Sequence, residues 1–161
     1  MSRLDSFIRR LTAQRDIIDH VAAALSLPAG AVLELGLGNG RTYSHLREAF
    51  PDRRIIAFDR ALAAHPDSTP RPEDLTLGEI RDTTRGFEGC GAALVHADIG
   101  TAFAAQDRET LTWLPARVAA ILAPGGIAAS GLPLDHPALS PLPLPGGVEA
   151  GRYFLYLLGA A

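Results

Sequence analysis

The chain has 161 residues, with 15 basic against 18 acidic side chains and a formal net charge of -3. Every basic residue is an arginine and lysine is absent. That excludes mechanisms built on an amine, such as the phosphate-reaching lysine of a P-loop, the Schiff-base lysine of pyridoxal chemistry and the strand lysine of a protein kinase. The single cysteine, Cys90, excludes a disulfide framework, a CxxC pair and a multi-cysteine zinc site.

Mild acidity argues against nucleic-acid binding through a basic face. With 47% hydrophobic and 20% charged residues, the chain can build a core, and its length suits one domain over 1–161, an N-terminal helix (1–28) followed by a core (29–161). No run approaches the roughly 18 to 20 apolar residues of a membrane span. Met1-Ser2-Arg3-Leu4-Asp5 lacks the character of a signal peptide. The expectation is a cytoplasmic protein without membrane or nucleic-acid partners.

From Leu4 to Leu25, apolar residues recur at helical spacing, with Arg9, Arg10, Arg15 and Asp19 assigned to the opposite face. Pro28-Ala29-Gly30 ends that helix. The apolar run Ala31–Leu35 then opens into Gly36-Leu37-Gly38-Asn39-Gly40, and a second helix follows from Arg41 to Phe50. Residues 54–59 (RIIAFD) read as a buried strand, 61–73 as a loop, and 75–80 (LTLGEI) as a third strand. A short helix is expected over 83–87, and residues 92–97 (AALVHA) make a fourth strand ending at Asp98. Residues 106–122 form one helix, kinked at Pro115. Pro124-Gly125-Gly126 ends it and a fifth strand runs over 127–130. Five prolines between Gly131 and Gly147 forbid a helix there. A last strand covers 152–158 (RYFLYLL).

Strand and helix alternate, and the strands are almost continuously apolar, which is the pattern of a parallel sheet covered on both faces. The fold class is therefore α/β: a Rossmann-like, doubly wound, mostly parallel sheet with helices on both faces and an antiparallel final strand. Ligands of such sheets bind beyond the carboxyl ends of the strands, so the residues just after each strand are the candidates.

The glycines after the first strand allow a sharp turn and a close ligand approach, and the helix behind them offers free N–H groups. Asp59 ends the second strand 19 residues after Gly40, where a carboxylate can accept from both ribose hydroxyls. The loop is GxGxG rather than GxGxxG, and Glu34 stands two residues before its first glycine. An acid there is unfavourable beside a pyrophosphate and favourable beside the ammonium and sulfonium of S-adenosylmethionine.

The run V-L-E-L-G-L-G-N-G resembles motif I of the class I, Rossmann-like, S-adenosylmethionine-dependent methyltransferases. The likeness continues through I-I-A-F-D, L-G-E-I, A-D-I-G and L-A-P-G-G-I, in order, over about residues 31 to 131. The resemblance implies S-adenosyl-L-methionine as cofactor. It implies that Gly36, Gly38 and Gly40 lie against its methionine part with Glu34 beneath, and that Asp59 holds the ribose. It places Glu79 and Ile80 at adenine, although the family often has Asp where Glu79 stands. Asp98 approaches the methionine amino group or the substrate, and is the candidate catalytic residue. Thr42 and Tyr43 add contacts at the first turn of the helix, with backbone capping an equal reading of Thr42.

No metal is expected. Ser130-Gly131-Leu132-Pro133 follows the fifth strand, where the metal-dependent O-methyltransferases of this fold carry an Asp-Asn pair. Asp135-His136 reads as a turn beside its reading as an acid–base pair, and His96 as a core histidine beside its reading as a cleft residue. The amino-methyltransferase motif is absent after the fourth strand. Methyl transfer needs positioning above all, and a base only where the acceptor must lose a proton. The acceptor is expected to be a small molecule, met by the N-terminal helix, the loop 61–73, the segment 131–147 or a partner subunit. A homodimer is consistent with so open a site. Arg41, Arg60 and Arg81 are the cations expected nearest the strand ends. Two alternatives stay open: a non-catalytic module binding S-adenosylmethionine or S-adenosylhomocysteine, and a nicotinamide-dependent oxidoreductase.

Overall fold

In the computed structural model, which describes residues 2–160, the apolar runs become the strands of one sheet. Helix α1 spans Arg3–Ala24 and starts with a capping box, in which the Ser2 hydroxyl accepts from the Asp5 N–H and the Asp5 carboxylate accepts from the Ser2 N–H. Strand β1 (Val32–Leu35) leads into α2 (Arg41–Ala49), then β2 (Ile55–Asp59), β3 (Leu75–Leu77) and the short α3 (Ile80–Thr83). After β4 (Ala92–Ala97) come α4 (Ala104–Leu111), α5 (Leu114–Ile121), β5 (Leu122–Ser130), β6 (Leu139–Pro141) and β7 (Phe154–Leu158).

The strand order is β3-β2-β1-β4-β5-β7-β6. The first five strands pair in parallel, while β7 is antiparallel to both β5 and β6. The order reverses direction between β1 and β4, which opens a crevice beyond their carboxyl ends.

Side chains alternate across this sheet and build a core on each face. On one face α1 and α2 cover Val32, Ile55, Ala57, Leu94 and Ile127 with Ile17, Ile18, Val21 and Leu46. On the other, Leu114, Val118 and Ile121 of α5 pack over Leu33, Leu35, Phe58 and Val95. Each such large aliphatic side chain, fully buried, contributes about 1.5–3 kcal/mol of hydrophobic stabilisation.

Five local expectations need correction or refinement. The single helix over 106–122 is two helices that meet at Thr112-Trp113. Pro115 does not kink a helix but sits in the first turn of α5, where its missing N–H costs nothing. The third strand stops at Leu77, because Gly78 takes φ +139° and Ile80 already begins α3. Strand β5 begins at Leu122 rather than 127, its ladder with β4 shifting between Ala92/Leu122 and Leu94/Ile127 to absorb the Pro-Gly-Gly run. Finally, the proline-rich segment contributes the short edge strand β6, an edge being where a strand tolerates proline. Among the described residues no helix is long and apolar enough to cross a membrane.

Candidate functional site

The loop after β1 folds over the end of β2. The N–H groups of Gly36 and Leu37 both donate to the Phe58 carbonyl, at 2.9 and 3.0 Å. Gly36 has φ +95°, and a Cβ there would lie 2.8 Å from the Asp98 carbonyl oxygen and from Ile99 Cγ2. The loop can therefore lie against the turn after β4 only as glycine. Gly38, at φ +52°, has nothing within 4 Å of where a Cβ would stand, so it presents bare backbone to the open crevice. Gly40 precedes α2 and packs against Ser68 of the 61–73 loop.

The crevice is a cleft of about 500 Å³ walled by this loop, by Asp59, Asp98 and Thr42, by Ile80 and Ile99, and by α1. Asp59 helps to shape it. Its Oδ2 accepts from the Gly38 N–H and its Oδ1 from the Arg60 N–H, each at 2.7 Å, and each oxygen retains a lone pair for a further donor. Asp98 accepts from one Arg10 nitrogen on both oxygens, at 2.8 and 2.7 Å. Three residues expected at the site are elsewhere: Gly40, whose open side faces Ser68 and Ala64 rather than the cleft, Tyr43 and Glu79. Tyr43 points away, buried on the sheet side of α2 and lining a separate recess with Arg47, Arg54 and Asp74. Glu79 is largely exposed, 3.3 Å from Arg60, on the rim of a neighbouring recess. The reason is the early start of α3, which turns Ile80 but not Glu79 toward the cleft.

Beneath the glycine loop lies a buried polar chain. Glu34 and His96 are register partners on β1 and β4, and neither is exposed at all. The Thr42 hydroxyl donates to Glu34 Oε1, while Glu34 Oε2 lies 2.7 Å from His96 Nδ1. The other ring nitrogen meets the buried Tyr153 hydroxyl at 2.5 Å. Burial by itself pulls the imidazole pKa down. The charge and hydrogen bond of Glu34 outweigh that, and His96 is held above its ordinary value. Nδ1–H donates to the Glu34 carboxylate, while Nε2 and the Tyr153 hydroxyl share a hydrogen bond whose direction follows the protonation of the ring. Burial, with the Asp98 and Glu34 carboxylates adding to it, pushes the Tyr153 phenol well up, so it stays neutral. His96 is thus a satisfied core residue, one layer below the cleft.

Sequence reasoning expected the N-terminal helix to meet the acceptor but missed which residues of α1 reach the cleft. Arg10, assigned to the solvent face, turns into the cleft with Phe7, Leu11 and Gln14. The Arg41 guanidinium lies over the Phe7 ring, 5.7 Å from its centroid. Gln14 is 2% exposed, and its side-chain Nε2 has no hydrogen-bond partner among the described residues. The signal for it was present, since Gln14 is the polar residue on the stripe of Leu11, Ile18 and Val21. The amide lies close enough to the Tyr153 hydroxyl to offset slightly the rise that burial gives that phenol's pKa, without a well-formed hydrogen bond, and it stands on the cleft wall where a ligand atom could also accept from it.

A second recess of about 530 Å³ meets the cleft along Phe7, Arg10, Asp98 and Gly100, and extends to Gly131, Leu132, Arg152 and Tyr153. His136 lies outside both: its Nδ1 accepts from the Ala138 N–H at 3.2 Å, which makes Asp135-His136 part of a turn. Among the described residues no three His, Cys, Asp or Glu side chains converge as metal ligands would.

The cleft has the chemistry for a cationic ligand with a diol: two carboxylates, a bare glycine backbone, an apolar wall and a side-chain amide. A family model described as S-adenosyl-L-methionine methyltransferase matches residues 1–158. The crystal structure of an S-adenosyl-L-methionine methyl transferase from Silicibacter pomeroyi DSS-3 is 44% identical, with a TM-score of 0.86, covering 97% of this chain and 98% of that one. N-methyltransferase NodS from Bradyrhizobium japonicum WM9 is similar in fold, at 13% identity and a TM-score of 0.59, each chain covered to 99%. So is the 16S rRNA (adenine(1408)-N(1))-methyltransferase from Catenulisporales acidiphilia, solved with its cosubstrate, at 12% identity and 0.53, covering 91% and 92%. No curated protein matches the chain. The GxGxG loop, the strand-end acids and the whole-length match agree: the chain belongs to the S-adenosyl-L-methionine methyltransferase family.

Proposed function

We propose that this methyltransferase acts on a small-molecule acceptor, with S-adenosyl-L-methionine in the cleft and the acceptor in the adjoining recess. One observation carries the reading: the two hollows share Asp98, Arg10, Phe7 and Gly100 as a common wall, and the second is about 530 Å³, the size of a small-molecule site. When bound, S-adenosylmethionine supplies a sulfonium methyl; an acceptor lone pair forms the new bond to carbon, the C–S pair returns to sulfur and S-adenosylhomocysteine leaves as a thioether.

The chain's own residues bind and orient. The backbone at Gly36 and Gly38 lets the methionine part lie close, above the buried Glu34–His96 pair, and Gly40 seats the loop against Ser68. Asp59 accepts from the ribose hydroxyls with the lone pairs that Gly38 and Arg60 leave free. Ile80 and Ile99 offer the adenine an apolar wall, and the Gln14 amide donates to an acceptor atom of the cofactor. Asp98 faces the cofactor's ammonium. It is also the carboxylate common to cleft and recess, so it is placed to take a proton where the acceptor must lose one. Thr42 contributes through Glu34, as a positioning residue. Holding the two reactants in line supplies most of the acceleration such a displacement needs.

The test is a screen of low-molecular-weight nucleophiles for formation of S-adenosylhomocysteine. Turnover on one of them supports the reading. Turnover confined to RNA or protein, with the cofactor bound, overturns it.

A further inference from the structure

The acceptor recess carries an unusual charge arrangement for an acidic chain. Arg3 and Arg10 from α1 and Arg152 from the turn before β7 all line it, against two carboxylates, Asp98 and Asp107. Both carboxylates are engaged. Asp98 is held by Arg10, and Asp107 Oδ1 accepts from the Thr101 N–H and hydroxyl at 2.8 and 2.9 Å. The remaining cations are not matched in the same way. Arg3 has no carboxylate within ion-pair distance among the described residues. Arg152 is 3.6 Å from Glu149, a largely exposed side chain that also meets Arg9 at 3.4 Å. The Arg152 side chain is only about a quarter exposed, so most of its hydration is already lost. The floor between them is Gly131, Leu132 and the neutral ring of Tyr153.

Resting on the reading above, we infer that the recess selects acceptors carrying an anionic group, a carboxylate or a phosphate, held by Arg3 and Arg152. A guanidinium fork matches the oxygen pairs of either anion, and its charge persists at any working pH. The half-buried setting of Arg152 raises the strength of such a contact above that of an open surface pair. Neutral analogues leave Arg3 to water and Arg152 with only its 3.6 Å contact to Glu149, so discrimination comes from the loss of a charged hydrogen-bond pair. Arg10 stands at the junction, between this group and Asp98.

The experiment uses the full chain saturated with S-adenosylhomocysteine, whose binding is first measured by calorimetry. Succinate and inorganic pyrophosphate are then titrated separately, to tell carboxylate from phosphate recognition. The expected result is saturable binding of one of them, weakened at least tenfold in Arg152→Gln and in Arg3→Gln, while S-adenosylhomocysteine affinity stays within twofold of wild type. In the acceptor screen, active compounds carry the same anion and their neutral esters lose at least tenfold in kcat/KM. Anion binding indifferent to both substitutions, no binding of either anion, or turnover of neutral acceptors only overturns the inference. Failure of S-adenosylhomocysteine to bind is a different result, and it bears on the cofactor site instead.

Discussion

Arg10 and Asp98 are 88 residues apart in the chain, and a single guanidinium nitrogen bridges both carboxylate oxygens at 2.8 and 2.7 Å. The pair ties α1 to the turn after β4, across the mouth of the cleft. Asp98 is mostly buried and Arg10 is half exposed, so the bridge is worth about 0.2–1 kcal/mol. The cofactor's ammonium competes for the same carboxylate. Arg10→Gln is therefore expected to tighten S-adenosylmethionine binding, by up to about fivefold for 1 kcal/mol, with a slight loss of thermal stability. Calorimetry checks it, and a weaker affinity would show that Arg10 itself contacts the cofactor.

Asp59 does two jobs, fixing the Gly38 and Arg60 N–H groups while facing the cleft. Asp59→Ala is expected to weaken S-adenosylmethionine by ~1 to 3 kcal/mol through lost charged hydrogen bonds. The ribose and loop contributions separate with a 2′-deoxy analogue of the cofactor. If the carboxylate holds the hydroxyl, wild type discriminates against the analogue and the variant does so much less. Equal discrimination by both proteins would remove the ribose role.

The strand ends were the legible part of this chain, because buried parallel strands are written as apolar runs and the glycine loop interrupts them sharply. Gly36, Asp59, Ile80 and Asp98 all reach the cleft as their positions after strands imply. Tyr43 does not, because helical spacing puts it a full 100° around from Thr42, on the face that packs against the sheet. Which residues of α1 reach the cleft was hidden for another reason. Periodicity separates apolar from polar faces, and Arg10 lies at their border, where the long side chain can turn either way. Only the fold shows that the border faces Asp98. The break between α4 and α5 was likewise a question of which turn Pro115 occupies, and composition does not answer that.

The buried Glu34–His96 pair predicts a pH dependence of stability. The folded pKa of His96 lies above the ordinary 6.5. The pair's contribution is therefore fully present below about pH 6.5, where an unfolded histidine is also protonated, and is lost as pH rises through the folded value. Denaturant unfolding of wild type should lose stability across that window, and His96→Gln should flatten it. Glu34→Ala, which removes the acceptor of the Thr42 hydroxyl and of His96 Nδ1–H and lets the buried imidazole go neutral, should cost about 1–3 kcal/mol. An imidazole titration by NMR at or below 6.5 would contradict the assignment.

Asp74 gives the opposite slope. It is 4% exposed and accepts from Arg54 at 2.6 Å and Arg71 at 2.9 Å. Burial tends to raise its pKa, but the two guanidinium contacts together prevail and hold it below the ordinary 3.8. Its stabilisation is present above that pH and lost as pH falls through the lower, folded value. Asp74→Asn should destabilise the neutral-pH protein by about 1–3 kcal/mol. It should also make the acid-unfolding limb shallower, with cofactor affinity unchanged because the site lies across α2 from the cleft.

The two loop glycines separate folding from binding. At Gly36 a methyl group would sit 2.8 Å from the Asp98 carbonyl oxygen and from Ile99 Cγ2, and the backbone there has no slack to give. Gly36→Ala should therefore lower stability by more than about 2 kcal/mol, combining strain at positive φ with a clash. At Gly38 the same methyl meets nothing within 4 Å, and only the cost of left-handed backbone applies, about 1–2 kcal/mol. That methyl projects into the space where the cofactor is proposed to lie. Gly38→Ala should thus leave a well-folded protein that has lost at least tenfold in S-adenosylmethionine affinity. Thermal unfolding and calorimetry on the two variants test the pair together. If Gly38→Ala binds as wild type does, the methionine part of the cofactor does not lie against this loop.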